Sequence, residues 1–229
     1  MGLAAVGLTG WESSAHLSGL GNWAPPGLLR PPGALPEPSF LSQCVRCGEC
    51  MAVCPRNALQ PVWLEAGWLG LFSPALVPRR GYCDPDCNLC GQVCPVGAIR
   101  ALVLTERRWA RPGLAAINRS TCLAWEHQKR CMVCGEVCPF KAIHFEKPAG
   151  GQVAAPYVLE ERCAGRGSCE HYCPVGNRAA ITVVPMGALR LERGSFIDHG
   201  QSLGLKISLK EASQSQKKVQ SGPAPGFTD

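Results

Sequence analysis

The chain has 229 residues, a formal net charge of +6 and 15 cysteines, with 26 glycines and 20 prolines and only 7% aromatic residues. An odd cysteine count, set in close Cys-x-x-Cys pairs that rarely bridge distant segments, argues against a disulfide framework. Zinc knuckles come as pairs of Cys-x-x-Cys rather than triplets followed by Cys-Pro, and unmetallated buried cysteines explain no repeated spacing.

Residues 1–24 are moderately apolar, but Glu12 and His16 interrupt them and no basic region precedes them. The stretch falls short of the roughly 18 apolar residues that a span needs and lacks the form of a standard signal peptide. The Arg79–Arg80 pair is internal, so it is no twin-arginine signal. The expectation is a chain with no transmembrane segment that stays in the cytoplasm or starts downstream of a leader. Residues 25–38, PPGLLRPPGALPEP, read as an extended linker without helix, making 1–38 a linker or leader remnant.

The first chemical signal is Cys44-x2-Cys47-x2-Cys50-x3-Cys54-Pro55. This is the run that holds an iron–sulfur cluster in bacterial ferredoxins. Three thiolates two residues apart let one tight loop wrap a cubane, while the fourth points toward a second cluster. Pro55 is expected to open a short helix from the first helical position, where a missing N–H costs nothing. After Cys-Pro come two residues, an Ala and then Leu or Ile, as in Ala58-Leu59, Ala98-Ile99 and Ala142-Ile143. One helical turn there would set these side chains against the cluster. The motif recurs near every forty residues, which points to duplication of one supersecondary unit.

Gln60–Tyr82 is long for a hairpin and holds Trp63, Trp68 and Phe72. It reads as an insertion that buries its own aromatics or, if they are exposed, as an apolar docking surface for a redox partner. The second run is Cys83-x3-Cys87-x2-Cys90-x3-Cys94-Pro95, after which residues 98–105 predict a strand. In the third, Cys122 stands eight residues before Cys131-x2-Cys134-x3-Cys138-Pro139, and His127 in the long loop is expected on the surface. Residues 142–145 and 157–160 predict a hairpin turning at 148–151, and 181–184 with 188–191 predict another turning at 185–187.

The fourth run is broken. It reads Cys163-Ala-Gly-Arg166-Gly-Ser-Cys169-Glu-His-Tyr-Cys173-Pro174, with Arg166 at the second ligand position. Arginine stays protonated and has no lone pair for iron. In two-cluster ferredoxins the fourth Cys of each run serves the other cluster. Pairing run one with two and three with four assigns Cys44, Cys47, Cys50 and Cys94 to site one, and Cys83, Cys87, Cys90 and Cys54 to site two. Site three takes Cys122, Cys131, Cys134 and Cys173, leaving Cys163, Cys169 and Cys138 for site four. The expected cofactors are three [4Fe–4S] clusters plus a fourth site that is [3Fe–4S], a labile [4Fe–4S] with water or His171 on the open iron, or empty.

A [4Fe–4S] core with four thiolates carries about −2 when oxidised, so three of them offset the apoprotein excess and nucleic acid falls away as a partner. The predicted class is α+β: two tandem ferredoxin-like 2[4Fe–4S] modules of short strands and short helices. They cover 39–110 and 111–193, with a disordered tail over 194–229.

The segments LLRPPGALPEPSFLSQCVRCGECMAVCP, LVPRRGYCDPDCNLCGQVCPVGAI, STCLAWEHQKRCMVCGEVCP and YVLEERCAGRGSCEHYCPV resemble the MauM/NapG type of polyferredoxin over about residues 28–193. The proline-rich lead-in and the Cys83-x3-Cys87 and Cys122-x8-Cys131 spacings make this resemblance more specific than the cysteine runs alone. It implies four [4Fe–4S] clusters and a periplasmic or membrane-associated carrier, although Arg166 stands where the family has a ligand. It also implies redox protein partners: a membrane quinol-oxidising donor and a terminal reductase or dehydrogenase. The chain itself shows no triad, phosphate loop or HExxH, so an electron carrier rather than an enzyme is expected. An assembly or maturation factor docking through Trp63–Phe72 is the alternative.

Overall fold

The computed structural model describes residues 28–176 and 178–208. In chain order it forms α1 (Glu37–Gln43), α2 (Glu49–Ala52), β1 (Leu59–Pro61), a 3-10 turn (Trp68–Gly70), β2 (Pro74–Leu76), α3 (Leu89–Gln92) and α4 (Leu104–Arg107). There follow β3 (Leu114–Ile117), α5 (Val133–Glu136), β4 (Ile143–Glu146), β5 (Ala155–Val158), α6 (Ser168–His171), β6 (Ile181–Val184) and α7 (Phe196–Ser202). The class is mixed α and β, with three two-stranded antiparallel sheets: β1–β2, β3–β6 and β4–β5.

Both halves follow one plan. An inner hairpin lies between the two cysteine runs, with Leu59 opposite Leu76 in the first half and Ile143 opposite Val158 in the second. An outer pairing joins the segment before the first run to the segment after the second. In the second half this is β3 with β6, Ile117 opposite Ile181. In the first it shrinks to one bridge, Ala34 to Ile99. One continuous apolar cluster, from Leu29 through Ile99 and Leu114 to Val183, runs through both halves.

Four one-turn helices, α2, α3, α5 and α6, each carry the cysteine at the third position of their run's template: Cys50, Cys90, Cys134 and Cys169. Helices this short have no stability of their own and are held by what they pack against. Pro55 follows α2 rather than opening a helix, because the residue before a proline is steered out of the helical region and the turn stops there.

Several expectations need correction. The proline-rich lead-in is no free linker: Leu28, Leu29, Arg30, Ala34 and Leu35 are buried. Prolines bring no N–H to leave unsatisfied, so such a segment can enter a core at low cost in lost hydrogen bonds. Residues 1–27 of the expected leader remnant lie outside the described residues. The 142–145 and 157–160 hairpin forms as β4–β5, but 181–184 pairs with β3 instead of 188–191. Gly113 permits this approach, since a Cβ there would stand 2.1 Å from the Val184 carbonyl oxygen. Residues 98–105 form a bridge and the start of α4 rather than a strand. The tail is ordered through α7, where Ser195 Oγ accepts from the Asp198 N–H and Phe196 packs with Leu102, Ala110, Leu189 and Leu205. Residues 209–229 lie outside the described residues.

Candidate functional site

Four cavities of about 350, 350, 370 and 340 Å³ open among the cysteine loops. Cys44, Cys47, Cys50 and Cys94 ring one; Cys54, Cys83, Cys87 and Cys90 another; Cys122, Cys131, Cys134 and Cys173 a third. Cys138, Cys163 and Cys169 ring the fourth. These groupings are the ones implied by runs that exchange their last cysteine.

The loops reach the cavities through left-handed backbone turns. In run one Arg46 and Gly48 have φ of 59° and 85°, and Gly48 caps α2. The buried alanines after Cys-Pro have a definite task. The Ala58 N–H donates to Cys54 Sγ at 3.3 Å and the Ala142 N–H to Cys138 Sγ at 3.4 Å. In run two the next residue does this, Ile99 to Cys94 Sγ at 3.5 Å. Cys-Pro-x-x-Ala thus supplies an amide to the sulfur of the remote cysteine.

Burial, with neighbouring thiolate charges, pushes the Cys50 and Cys134 thiols up to about 12. Burial likewise raises Cys163 and drives Cys169 well above its ordinary value. Cys83 moves the other way. Burial pushes it up, but the charges and hydrogen bonds of Arg107 and Arg166 outweigh that and hold it below the usual thiol range. Arg107 Nη2 donates to Cys83 Sγ at 3.4 Å and Cys90 Sγ at 3.5 Å, and Arg166 Nη1 to Cys83 Sγ at 3.4 Å.

Arg166 therefore does more than vacate a ligand position. It lines the cavity of Cys163 and Cys169, while its guanidinium donates to Cys83, whose own N–H donates back to the Arg166 carbonyl at 2.8 Å. Arg107 had no signal in the sequence, being one of several arginines in LTERRWAR. His171 does not line the fourth cavity; its Nδ1 lies 3.1 Å from the Pro78 carbonyl oxygen and its ring packs against Tyr82 and Tyr172. His127 is exposed. The 60–82 segment does not bury its aromatics: Trp63, Trp68 and Phe72 are 62%, 80% and 46% exposed, with Trp63 and Phe72 edge to face. Its Trp63–Phe72 loop is tied to the first cysteine loop by Arg46, whose Nε donates to the Leu71 carbonyl at 3.0 Å.

The donor set fits iron–sulfur clusters. Among the described residues no three His, Cys, Asp or Glu side chains converge closely enough to hold a single metal ion. The cysteines ringing each cavity would instead hold a polynuclear cluster. The buried guanidinium N–H groups at Arg107 Nε, Arg107 Nη1 and Arg166 Nε lack a protein acceptor, as expected beside an anionic inorganic group. Cavities, swapped cysteines and amide-to-sulfur bonds define a ferredoxin-type iron–sulfur protein.

Comparison with known proteins agrees. Residues 40–60 match a family model described as a 4Fe-4S binding domain, and residues 129–177 one described as a 4Fe-4S dicluster domain. The methylamine utilization ferredoxin-type protein MauM of Methylophilus methylotrophus is 37% identical over 187 residues, 77% of each chain. The ferredoxin-type protein NapG of Escherichia coli is 35% identical over 209 residues, covering 87% of this chain and 86% of its own. The chain belongs to the MauM/NapG family of ferredoxin-type iron–sulfur electron-transfer proteins.

Proposed function

We propose that this chain is a polyferredoxin of two tandem cluster-binding modules, relaying electrons from a quinol-linked membrane donor to a terminal oxidoreductase. The fifteen cysteines are its iron ligands: complete sets at sites one, two and three, and the three thiolates Cys138, Cys163 and Cys169 at site four. Each bound cluster supplies storage of one electron. The loops wrap the sulfurs, exclude water through the buried alanines and leave no open position at the complete sites for a reactant. The carrying observation is that four cavities gather the cysteines in run-swapped sets. An order one–two–four–three is supported by Arg166, which lines site four and donates to site two.

Iron counting with low-temperature EPR on anaerobically purified protein tests this. About fifteen irons with a [3Fe–4S] signal in the oxidised state is the expected result, four irons at each complete site and three at site four; zinc, or no iron, refutes the reading. About twelve irons without that signal mean an empty site four, and about sixteen mean a labile [4Fe–4S] there.

The exposed Trp63–Phe72 loop also favours a second reading, an assembly or maturation factor that docks through it. Replacing all cluster cysteines with Ser separates the two: a relay loses function with its metals, whereas a docking scaffold keeps binding. Placement at the periplasmic face, as the family resemblance implies, is tested by fractionating cells that express the protein.

A further inference from the structure

Arg107 and Arg166 are 4% and 3% exposed, and among the described residues neither has a carboxylate within ion-pair distance. Asp84, which also borders the site-two cavity, pairs instead with Arg56 at 3.3 Å. The two guanidinium groups converge on Cys83 Sγ, and Arg166 Nη2 also donates to the Arg107 backbone carbonyl oxygen. Two buried like charges with no protein anion are strongly unfavourable unless something negative stands beside them. What they do touch is sulfur: Cys83 from both and Cys90 from Arg107.

The other sites differ. At sites one and four the described donors to sulfur are backbone amides, Ile99 to Cys94 and Ala142 to Cys138. Arg111, the cation acting on Cys163 of site four, directs its donors to the Gly187 and Glu160 carbonyls instead. Among the described residues, side-chain cations donate to sulfur at site two alone.

We propose that Arg107 and Arg166 set the reduction potential of site two, making it the [4Fe–4S] site of the relay that fills first. This rests on the cluster reading above. One-electron reduction adds an electron and nothing else, deepening the negative charge on the cluster and its four thiolates. Hydrogen bonds to sulfur and local charge set the potentials of such clusters. Two fixed, water-shielded cations favour the more negative form, and low dielectric strengthens the effect. Arg166 has thus exchanged iron ligation at site four for charge at site two. A relay of near-equal carriers becomes one with an electron-holding site beside the module boundary.

The test is an EPR-monitored redox titration of the anaerobic full-length protein with dithionite and dye mediators. Cys83→Ser first identifies the signal belonging to site two. In the wild type that signal is expected to appear before those of sites one and three on reduction. Arg107→Gln and Arg166→Gln should each lower its reduction equilibrium constant at least tenfold, about 59 mV for one electron, leaving the other signals in place. The Lys variants should shift it less. A site-two signal that appears last, or that is unmoved in every Gln variant, overturns the proposal, as does an equal shift of all signals. Should a Gln variant fail to take up iron, the wild-type order of reduction still decides. Iron content keeps this separate from the cluster reading: protein without iron refutes that reading, whereas loaded protein with unmoved potentials refutes this inference alone.

Discussion

Runs one and four share a backbone and differ in what it carries. Arg46 and Gly48 in the first have φ of 59° and 85°; Gly165 and Gly167 in the fourth have 63° and 86°. Between each pair sits the second ligand position. Cys47 there is exposed at the rim of its cavity, whereas Arg166 is buried and turned toward another one. The supports differ as well. Run one is approached through α1, locked by Glu37 between Arg30 and Arg190, both at 2.6 Å. Run four is held by close backbone packing: a Cβ on Gly165 would stand 2.1 Å from the Gly113 carbonyl oxygen, and one on Gly167 2.7 Å from Pro78. A duplicated loop can therefore lose a ligand and keep its shape when neighbouring backbone, as well as metal, holds it in place.

The largest expected effect falls on both loops together. Stripping iron with a chelator should abolish most of the far-UV CD signal, since metal binding supplies much of the folding free energy of such domains. If run four keeps its shape by packing alone, protease should cut the run-one loop first during stripping. Simultaneous cleavage would show that the comparison is wrong.

Next comes the lock on run one. Glu37→Gln leaves Arg30 and Arg190 without their buried anion and should cost about 3–5 kcal/mol in denaturant unfolding of the loaded protein. Burial raises the Glu37 pKa, but Arg30 and Arg190 outweigh it and hold it below the ordinary 4.5. Because the folded value is the lower one, its stabilisation is complete above the unfolded carboxylate range and is lost as pH falls through the folded value. Wild-type stability should fall in that acid window, and the Gln variant should show less of the fall.

Matched alanine substitutions address the packing. Both Gly48 and Gly167 lie in the left-handed region, so Ala costs about 1–2 kcal/mol at either from backbone strain. At Gly48 the new Cβ would meet only Met51 Cε at 3.9 Å, whereas at Gly167 it runs into Pro78 at 2.7 Å. Overpacking adds about 1–3 kcal/mol there, so equal losses at the two sites would remove the distinction. The smallest stability change is expected for Arg166→Cys, which restores the template on an unaltered backbone. It should add a fourth thiolate to site four, read as loss of any oxidised [3Fe–4S] signal and a gain in iron.

The cysteine chemistry was legible in the chain because ligand spacing is local: a loop of two or three residues either reaches a cavity or does not. Which cysteines share a cavity also followed, since runs that exchange their last ligand leave few combinations. The β4–β5 hairpin was readable from its flanking turn. The pairing of β6 was not, because strand partners depend on a glycine some seventy residues away. The proline-rich lead-in looked like a linker because its composition forbids regular ladders, and composition does not report burial.

Sequence alone therefore determined which cysteines come to share a cavity, that Arg166 stands where the run's template has a cysteine, and the family to which the chain belongs. Only the tertiary structure decided where the Arg166 guanidinium goes, that Arg107 joins it, that the lead-in is core and that Trp63 and Trp68 face solvent. The reason is range. Metal coordination is written in spacings of a few residues, while the direction of a long charged side chain is set by whichever partner the rest of the fold brings within about 3.5 Å of it.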